Sequence, residues 1–141
     1  MIAVVGAHVV AADRVVPHGS VLIDGGRVVG IEAGRIDSPG LEQVAHPGCY
    51  LVPGFVDVHV HGVDGHDVLD DSDAVASIAA RLPRYGVTAF CPTTVACAPT
   101  ALVSVLTQVA RARHRPDLRG ARVLRAHLER SEEHTSELQS H

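Results

Sequence analysis

Two histidines, His59 and His61, are the first candidates for chemistry in this sequence, because they lie two residues apart in a segment of alternating polarity. The segment Val56 to His61 has the period of two that is typical of a β-strand. Residues two apart in a strand project to the same side, so both imidazoles face one way. Two neutral imidazoles that converge at the end of a strand can chelate one divalent cation. The spacing therefore indicates either a metal site or the half-exposed face of an ordinary strand.

Composition limits the classes of protein to which the chain can belong. The 141 residues are 46% hydrophobic, enough for one domain with a packed core. The formal charge of −4 predicts no nucleic-acid partner. Cys49, Cys91 and Cys97 are too scattered for a disulfide framework, which favours a reducing, cytoplasmic setting. The sequence pattern indicates no signal peptide and no membrane-spanning segment, so we expect no membrane partner.

The first third of the chain is predicted to form a small β unit. Asp24-Gly25-Gly26 is a strong hairpin signal, because glycine accepts the positive φ that a tight turn requires. Residues 37–48 contain two Pro-Gly-type breaks and are predicted to be a loop and linker. The predicted strands are Ile2 to Val5, His8 to Val10, Ser20 to Ile23 and Arg27 to Ile31.

From Tyr50 the pattern becomes strand, helix, strand, helix, strand, which implies parallel strands with crossover helices. The predicted strands are Val56 to His61, Val87 to Phe90 and Arg122 to Leu128. A Gly- and Asp-rich loop, residues 62–71, follows the first of them. Ser72 is the predicted N-cap of a helix that buries Val75, Ile78, Ala79 and Leu82, and Pro99 begins a helix with Leu102, Leu106 and Val109 on one face. Three strands do not close a (β/α)8 barrel, which takes about 250 residues.

Leu51 to Gly65 contains Pro53-Gly54-Phe55-Val56-Asp57-Val58-His59-Val60-His61, and this motif resembles the first barrel strand of the amidohydrolase superfamily. The resemblance implies an α/β fold: the truncated start of a TIM-like (β/α)8 barrel, preceded by a small β-sandwich domain. Residues 1–50 would then be part of the sandwich, and residues 51–129 would be the first strands and helices of a metal-dependent hydrolase barrel.

Two later segments resemble the N-acetylglucosamine-6-phosphate deacetylase family within that superfamily. Tyr85 to Thr94 is similar to its Gly-x-Thr-x-x-x-Pro-Thr second strand, and Val123 to Glu129 to its Gly-x-His-x-Glu-Gly-Pro third strand, although Arg125 replaces the usual Gly. The resemblance implies that His59, His61 and Glu129 bind a divalent metal ion, Zn or Fe.

The same resemblance implies an enzyme that removes the acetyl group from N-acetylglucosamine 6-phosphate in amino-sugar catabolism. It further implies a phosphorylated amino-sugar substrate, a homodimer when the protein is full length, and a general base from the last barrel strand, outside these residues. The chain by itself is expected to be inactive.

Two alternative functions remain open. Another amidohydrolase, such as a dihydroorotase-like cyclic amidase, would share the histidine pair, but those enzymes commonly carry a different residue where Glu129 stands. A non-catalytic β-domain protein with structural histidines would bind no metal.

Other polar residues near the motifs receive weaker assignments. His127 lies two residues before Glu129 and its role is open, whereas Asp57 is expected to orient a neighbouring group. His66 is considered as a substrate contact, and Cys91 as a small core residue.

The last segment differs in composition from everything before it. Arg130 to Ser140 matches, codon by codon, the translation of a widely used short-read sequencing adapter. Residues 130–141 are therefore predicted to be a non-native tail. We expect the natural reading frame to continue Gly-Pro after Glu129.

Overall fold

A computed structural model of the protein describes residues 1–36, 38–70, 72–115 and 117–129, and the predicted tail lies outside them. The chain divides into two compact units, the first spanning Met1–Pro53 and the second beginning at Gly54. Within the described residues, no helix is long and apolar enough to span a membrane.

The first unit is a five-stranded sheet in which β1 is central. Its strands are β1 (Ile2–Val10), β2 (Val15–Asp24), β3 (Arg27–Glu32), β4 (Glu42–Ala45) and β5 (Tyr50–Leu51). β3, β2 and β1 pair antiparallel, whereas β4 and β5 pair parallel to β1. Alternate side chains of β1 are buried on one face, as the period of two requires. Among the described residues this unit forms a single sheet, which corresponds to one layer of a sandwich.

Two expectations for this unit are wrong. β4 lies inside residues 37–48, which the sequence predicted to be loop. Its four residues pair with Ile2–Val5, so a partner distant in sequence supplies what the local pattern did not indicate. The predicted break after Val5 is also wrong: Gly6 adopts φ +81° at a register shift, and β1 continues through it.

The second unit begins with two strand–helix–strand repeats. Its elements are β6 (Phe55–Val60), the hairpin β7 (Gly62–Val63) and β8 (His66–Asp67), α1 (Ala74–Arg81), a 3₁₀ turn (Leu82–Tyr85), β9 (Val87–Thr94), α2 (Pro99–Arg113), β10 (Arg122–Val123) and β11 (His127–Leu128). β9 is central and parallel to all its partners, with β6 on one side and β10 and β11 on the other. Both helices pack on the sheet over a core that includes Phe90 and Ile78.

The helices differ from the sequence expectation at their packing surfaces. α1 begins one residue later than predicted, with Asp73 rather than Ser72 at the N-cap, and the Asp73 side chain makes no capping bond. The buried Gln108 of α2 caps it instead, because its Oε1 accepts a hydrogen bond from Val75 N at 3.3 Å. The predicted face of α2 is wrong in part, since Leu106 is 40% exposed. The helix buries Val105, Gln108, Val109 and Ala112, a face rotated from the predicted one.

The predicted third strand, Arg122 to Leu128, is interrupted. Three residues lie between Val123 and His127, whereas two lie between their partners Phe90 and Thr93 on β9. One extra residue therefore bulges out between β10 and β11.

Candidate metal centre

The end of β6 presents the two predicted histidines on the face away from the helices. Val60 is buried in the core under the helices, so its neighbours His59 and His61 point to the opposite side. The ladder between β6 and β9 is irregular here, because two residues lie between Asp57 and Val60, whereas one lies between their partners Phe90 and Pro92 on β9. Asp57 Oδ1 accepts the His59 N–H at 3.0 Å. Side-chain acceptors thus replace ladder bonds at the irregularity, as happens at β-bulges near functional sites.

The bulge in the third strand turns Glu129 towards those histidines. Val123 packs into the core under the helices. Without an extra residue, period two would give Val123, His127 and Glu129 the same face. A slip of one residue moves every later side chain to the other face. His127 and Glu129 therefore lie on the face that carries His59, while Ala126 packs against the helix side.

Three potential ligand atoms converge as a result. The Nε2 atoms of His59 and His61 lie 3.0 Å apart. Glu129 Oε2 lies 3.2 Å from His59 Nε2 and 2.9 Å from His61 Nε2. Their side chains are 46%, 37% and 41% exposed in this chain. Among the described residues, these three form the cluster of metal-ligating side chains with the required proximity.

The hydrogen bonds of His61 select the tautomer that a metal requires. His61 Nδ1 lies 3.0 Å from the carbonyl oxygen of Thr93. A carbonyl can only accept, so Nδ1 carries the proton and Nε2 keeps its lone pair for a cation. Metal-binding histidines are characteristically oriented by such a bond.

The donor set fits a divalent transition metal. Two imidazole nitrogens and one carboxylate oxygen suit Zn²⁺ or Fe²⁺. Bonds of about 2.0–2.2 Å, at angles from octahedral to tetrahedral, put ligand atoms roughly 2.8–3.6 Å apart. The separations of 2.9–3.2 Å fall inside that interval.

Thr93 supports this cluster, and the local sequence pattern did not single it out. It is fully buried, and its Oγ1 accepts the Val60 N–H at 3.0 Å while donating to the Cys91 carbonyl at 3.1 Å. The Thr93 hydroxyl therefore holds the backbone at Val60, and the Thr93 carbonyl holds the His61 side chain. The Pro92-Thr93 pair of the family motif was the available signal, although it did not reveal this role.

His127 also reaches the cluster, which assigns a contact to a residue whose role was open. Its Nδ1 lies 3.1 Å from the Val58 carbonyl, and its ring contacts the His59 ring edge-to-face at 5.0 Å. His66 lies in β8 rather than in the cluster, and its proposed substrate contact stays a prediction.

The hairpin that follows His61 is held by Asp64, whose backbone adopts φ +51°. Asp64 Oδ1 accepts a hydrogen bond from the Tyr85 hydroxyl at 2.5 Å, and Arg84 lies 3.4 Å from Oδ2. The hydrogen bond to Asp64, followed by its negative charge, raises the pKa of Tyr85 above the ordinary value of 10.0. A cavity of about 370 Å³ lies beside this hairpin, and Asp57, His59, His61 and Tyr85 contribute to its lining.

Comparison with known proteins supports the resemblance found in the sequence motifs. No family model matches the chain. The N-acetylglucosamine-6-phosphate deacetylase of Bacillus subtilis (strain 168) is 30% identical over 125 residues, covering 86% of this chain and 32% of the relative. The N-acetylgalactosamine-6-phosphate deacetylase of Escherichia coli O157:H7 is 38% identical over 80 residues, covering 56% of this chain and 21% of the relative.

A solved structure confirms the fold. The N-acetylglucosamine-6-phosphate deacetylase from Pasteurella multocida superposes with a TM-score of 0.74 at 17% identity, over 86% of this chain and 33% of that one. The chain thus spans about a third of the length of the Bacillus subtilis and Pasteurella multocida proteins and about a fifth of the Escherichia coli one. The predicted fold, the start of a TIM-like (β/α)8 barrel after a small β domain, is therefore confirmed.

Proposed function

We propose that the whole protein is a metal-dependent hydrolase, because this chain is homologous to the N-acetylglucosamine-6-phosphate deacetylases of the amidohydrolase superfamily. It would remove the acetyl group from N-acetylglucosamine 6-phosphate. The observation that carries the proposal is the convergence of His59, His61 and Glu129 from two strands that β9 separates. In a barrel, side chains from alternate strands share one interior layer, and active sites lie at the carboxyl ends of the strands.

Each residue of the cluster has a definable task. A divalent cation held there would act as a Lewis acid towards the acetamide carbonyl oxygen and would promote ionisation of water at neutral pH. His61, with its Nδ1 proton directed to Thr93, offers a lone pair at a fixed position. Glu129 supplies a negative charge that offsets part of the cation's charge. The family resemblance implies a general base on the last barrel strand, so residues 1–129 would bind the cation and orient the substrate without supplying that base.

The test is an acetate-release assay on the metal-loaded whole protein. N-acetylglucosamine 6-phosphate should release acetate, and Glu129→Ala, His59→Ala and His61→Ala should each lose metal and activity. His114→Ala is the matched control, because His114 is an exposed histidine at the end of α2. Metal content and turnover of Glu129→Ala equal to those of the control would contradict the site assignment.

Substrate analogues separate the alternative functions. The galactosamine epimer is included because one relative carries that specificity in its name. Hydrolysis of a cyclic amide in place of the amino-sugar phosphate would favour the dihydroorotase-like alternative. A protein that neither binds metal nor hydrolyses any of these compounds would support the non-catalytic alternative.

A further inference from the structure

The geometry points to His127 as a positioning residue for the metal centre, an inference that rests on the proposed metal site. β6 and β11 both pair with β9 and are therefore about 9–10 Å apart. β11 is short, with two residues paired to β9. The Glu129 N–H also donates to the Thr94 carbonyl of β9 at 3.2 Å. A contact that crosses over β9 adds a further restraint on the distance between the histidine pair and Glu129.

His127 makes such a contact without using any of the three ligand atoms. Its Nδ1 lies 3.1 Å from the Val58 carbonyl oxygen. Because that oxygen can only accept, Nδ1 is the donor and the ring is held in one tautomer. The bond joins the residue before His59 to the strand that ends next to Glu129.

The ring of His127 also restrains the ring of His59. The two centroids are 5.0 Å apart at an interplanar angle of 78°, the edge-to-face arrangement that ring quadrupoles favour. His59 is the more exposed of the two histidine ligands, so its ring gains most from a packing partner. One side chain thus fixes both the backbone before His59 and the orientation of its imidazole.

This arrangement makes a prediction that distinguishes positioning from ligation. A cation would replace the direct contacts among His59, His61 and Glu129, whereas the His127–Val58 bond would persist in both states. His127 would therefore preorganise the site before metal binds. Groups that orient metal ligands characteristically change metal affinity by about 10- to 100-fold when removed.

The experiment measures Co²⁺ affinity of the whole protein by chelator competition, together with the visible absorption of bound Co²⁺. His127→Ala should weaken affinity by about tenfold or more and alter the spectrum. His127→Asn places an amide donor near the position of Nδ1 and should restore most of the affinity. His127→Gln places its amide nearer the position of Nε2 and should not restore the affinity. The control His114→Ala should have the Co²⁺ affinity and spectrum of the wild type.

Several outcomes would overturn the inference. Wild-type Co²⁺ affinity and absorption spectrum in His127→Ala would show that the contacts of His127 do not position the metal ligands. If His127→Asn does not restore the Co²⁺ affinity, the hydrogen bond donated by Nδ1 is not what positions the ligands. A lower melting temperature of the metal-free His127→Ala protein, with an unchanged Co²⁺ spectrum, would indicate a purely structural role. The acetate-release assay on wild type tests the proposed function separately, because Co²⁺ binding does not depend on the substrate.

Discussion

Replacing Thr93 by Val should destabilise the sheet beneath the metal ligands and weaken the metal site itself. The substitution keeps the shape of the side chain but removes the hydroxyl. That hydroxyl accepts the Val60 N–H at 3.0 Å and donates to the Cys91 carbonyl at 3.1 Å. Thr93 is fully buried, so water cannot readily replace either bond.

The magnitude follows from these contacts. A buried N–H left without an acceptor costs about 1–3 kcal/mol, and loss of the second bond costs about 1 kcal/mol. The added methyl group recovers roughly 0.8 kcal/mol of burial. The expected net loss is therefore about 2 kcal/mol. Because the orphaned N–H lies between His59 and His61, metal affinity should also fall, by about tenfold.

The assay is urea denaturation of the metal-free whole protein, followed by metal titration against a chromophoric chelator. Thr88→Val is the matched control, since Thr88 lies on the same strand and donates to the Phe55 carbonyl at 3.3 Å but is exposed. The control should change stability by less than about 0.5 kcal/mol. Equal stability and equal metal affinity in the two variants would show that the Thr93 hydroxyl does not support the metal site.

Three further predictions concern the hairpin after His61, the ionisation of Tyr85 and the folding of residues 1–141. Gly62→Ala should weaken metal binding in a Co²⁺ titration, because its new Cβ would collide with the His66 carbonyl in the hairpin after His61; unchanged affinity would show that the hairpin moves freely. Asp64→Asn should lower the raised pKa of Tyr85 towards 10.0. The pKa is measured from the ultraviolet absorbance of the phenolate, and an unaltered titration would mean that Asp64 does not raise the pKa of Tyr85. The Tyr85–Asp64 contribution to stability should accordingly be present below the ordinary tyrosine pKa and be lost as pH rises through the raised value. Residues 1–141 expressed without further chain should be insoluble or molten. Among the residues that the structure describes, β6 pairs with β9 alone, and its Val56 and Val58 are about 60% exposed. A sharp cooperative melting transition in circular dichroism would contradict this prediction.

The convergence of His59 and His61 could be predicted from the sequence because it depends on a local period of two. The parallel order of β6, β9 and the third strand was predictable for a similar reason, since alternating strand and helix patterns imply it. The first prediction rests on a pattern within a few residues, and the second rests on the order of strands and helices along the chain.

The position of Glu129 could not be derived from the period of its strand. A regular strand from Arg122 to Leu128 would have turned Glu129 to the helix side, together with Val123. The bulge that reverses it is defined by pairing to Phe90 and Thr93, which lie more than thirty residues earlier. The family motif supplied this assignment, whereas strand periodicity opposed it.

Elements defined by distant partners were missed for the same physical reason. β4 forms because β1 offers a free edge, and Gln108 caps α1 from another helix. Neither β4 nor the Gln108 cap has a signature in the local sequence. The sequence therefore predicted a loop in place of β4 and a Ser72 cap in place of Gln108.

Anomalous scattering from a crystal of the zinc-loaded whole protein would locate the cation that His59, His61 and Glu129 are proposed to hold. We expect an anomalous peak about 2.0–2.2 Å from His59 Nε2, His61 Nε2 and a carboxylate oxygen of Glu129. Acetate release by a protein whose only anomalous peak lies away from these three side chains would contradict it.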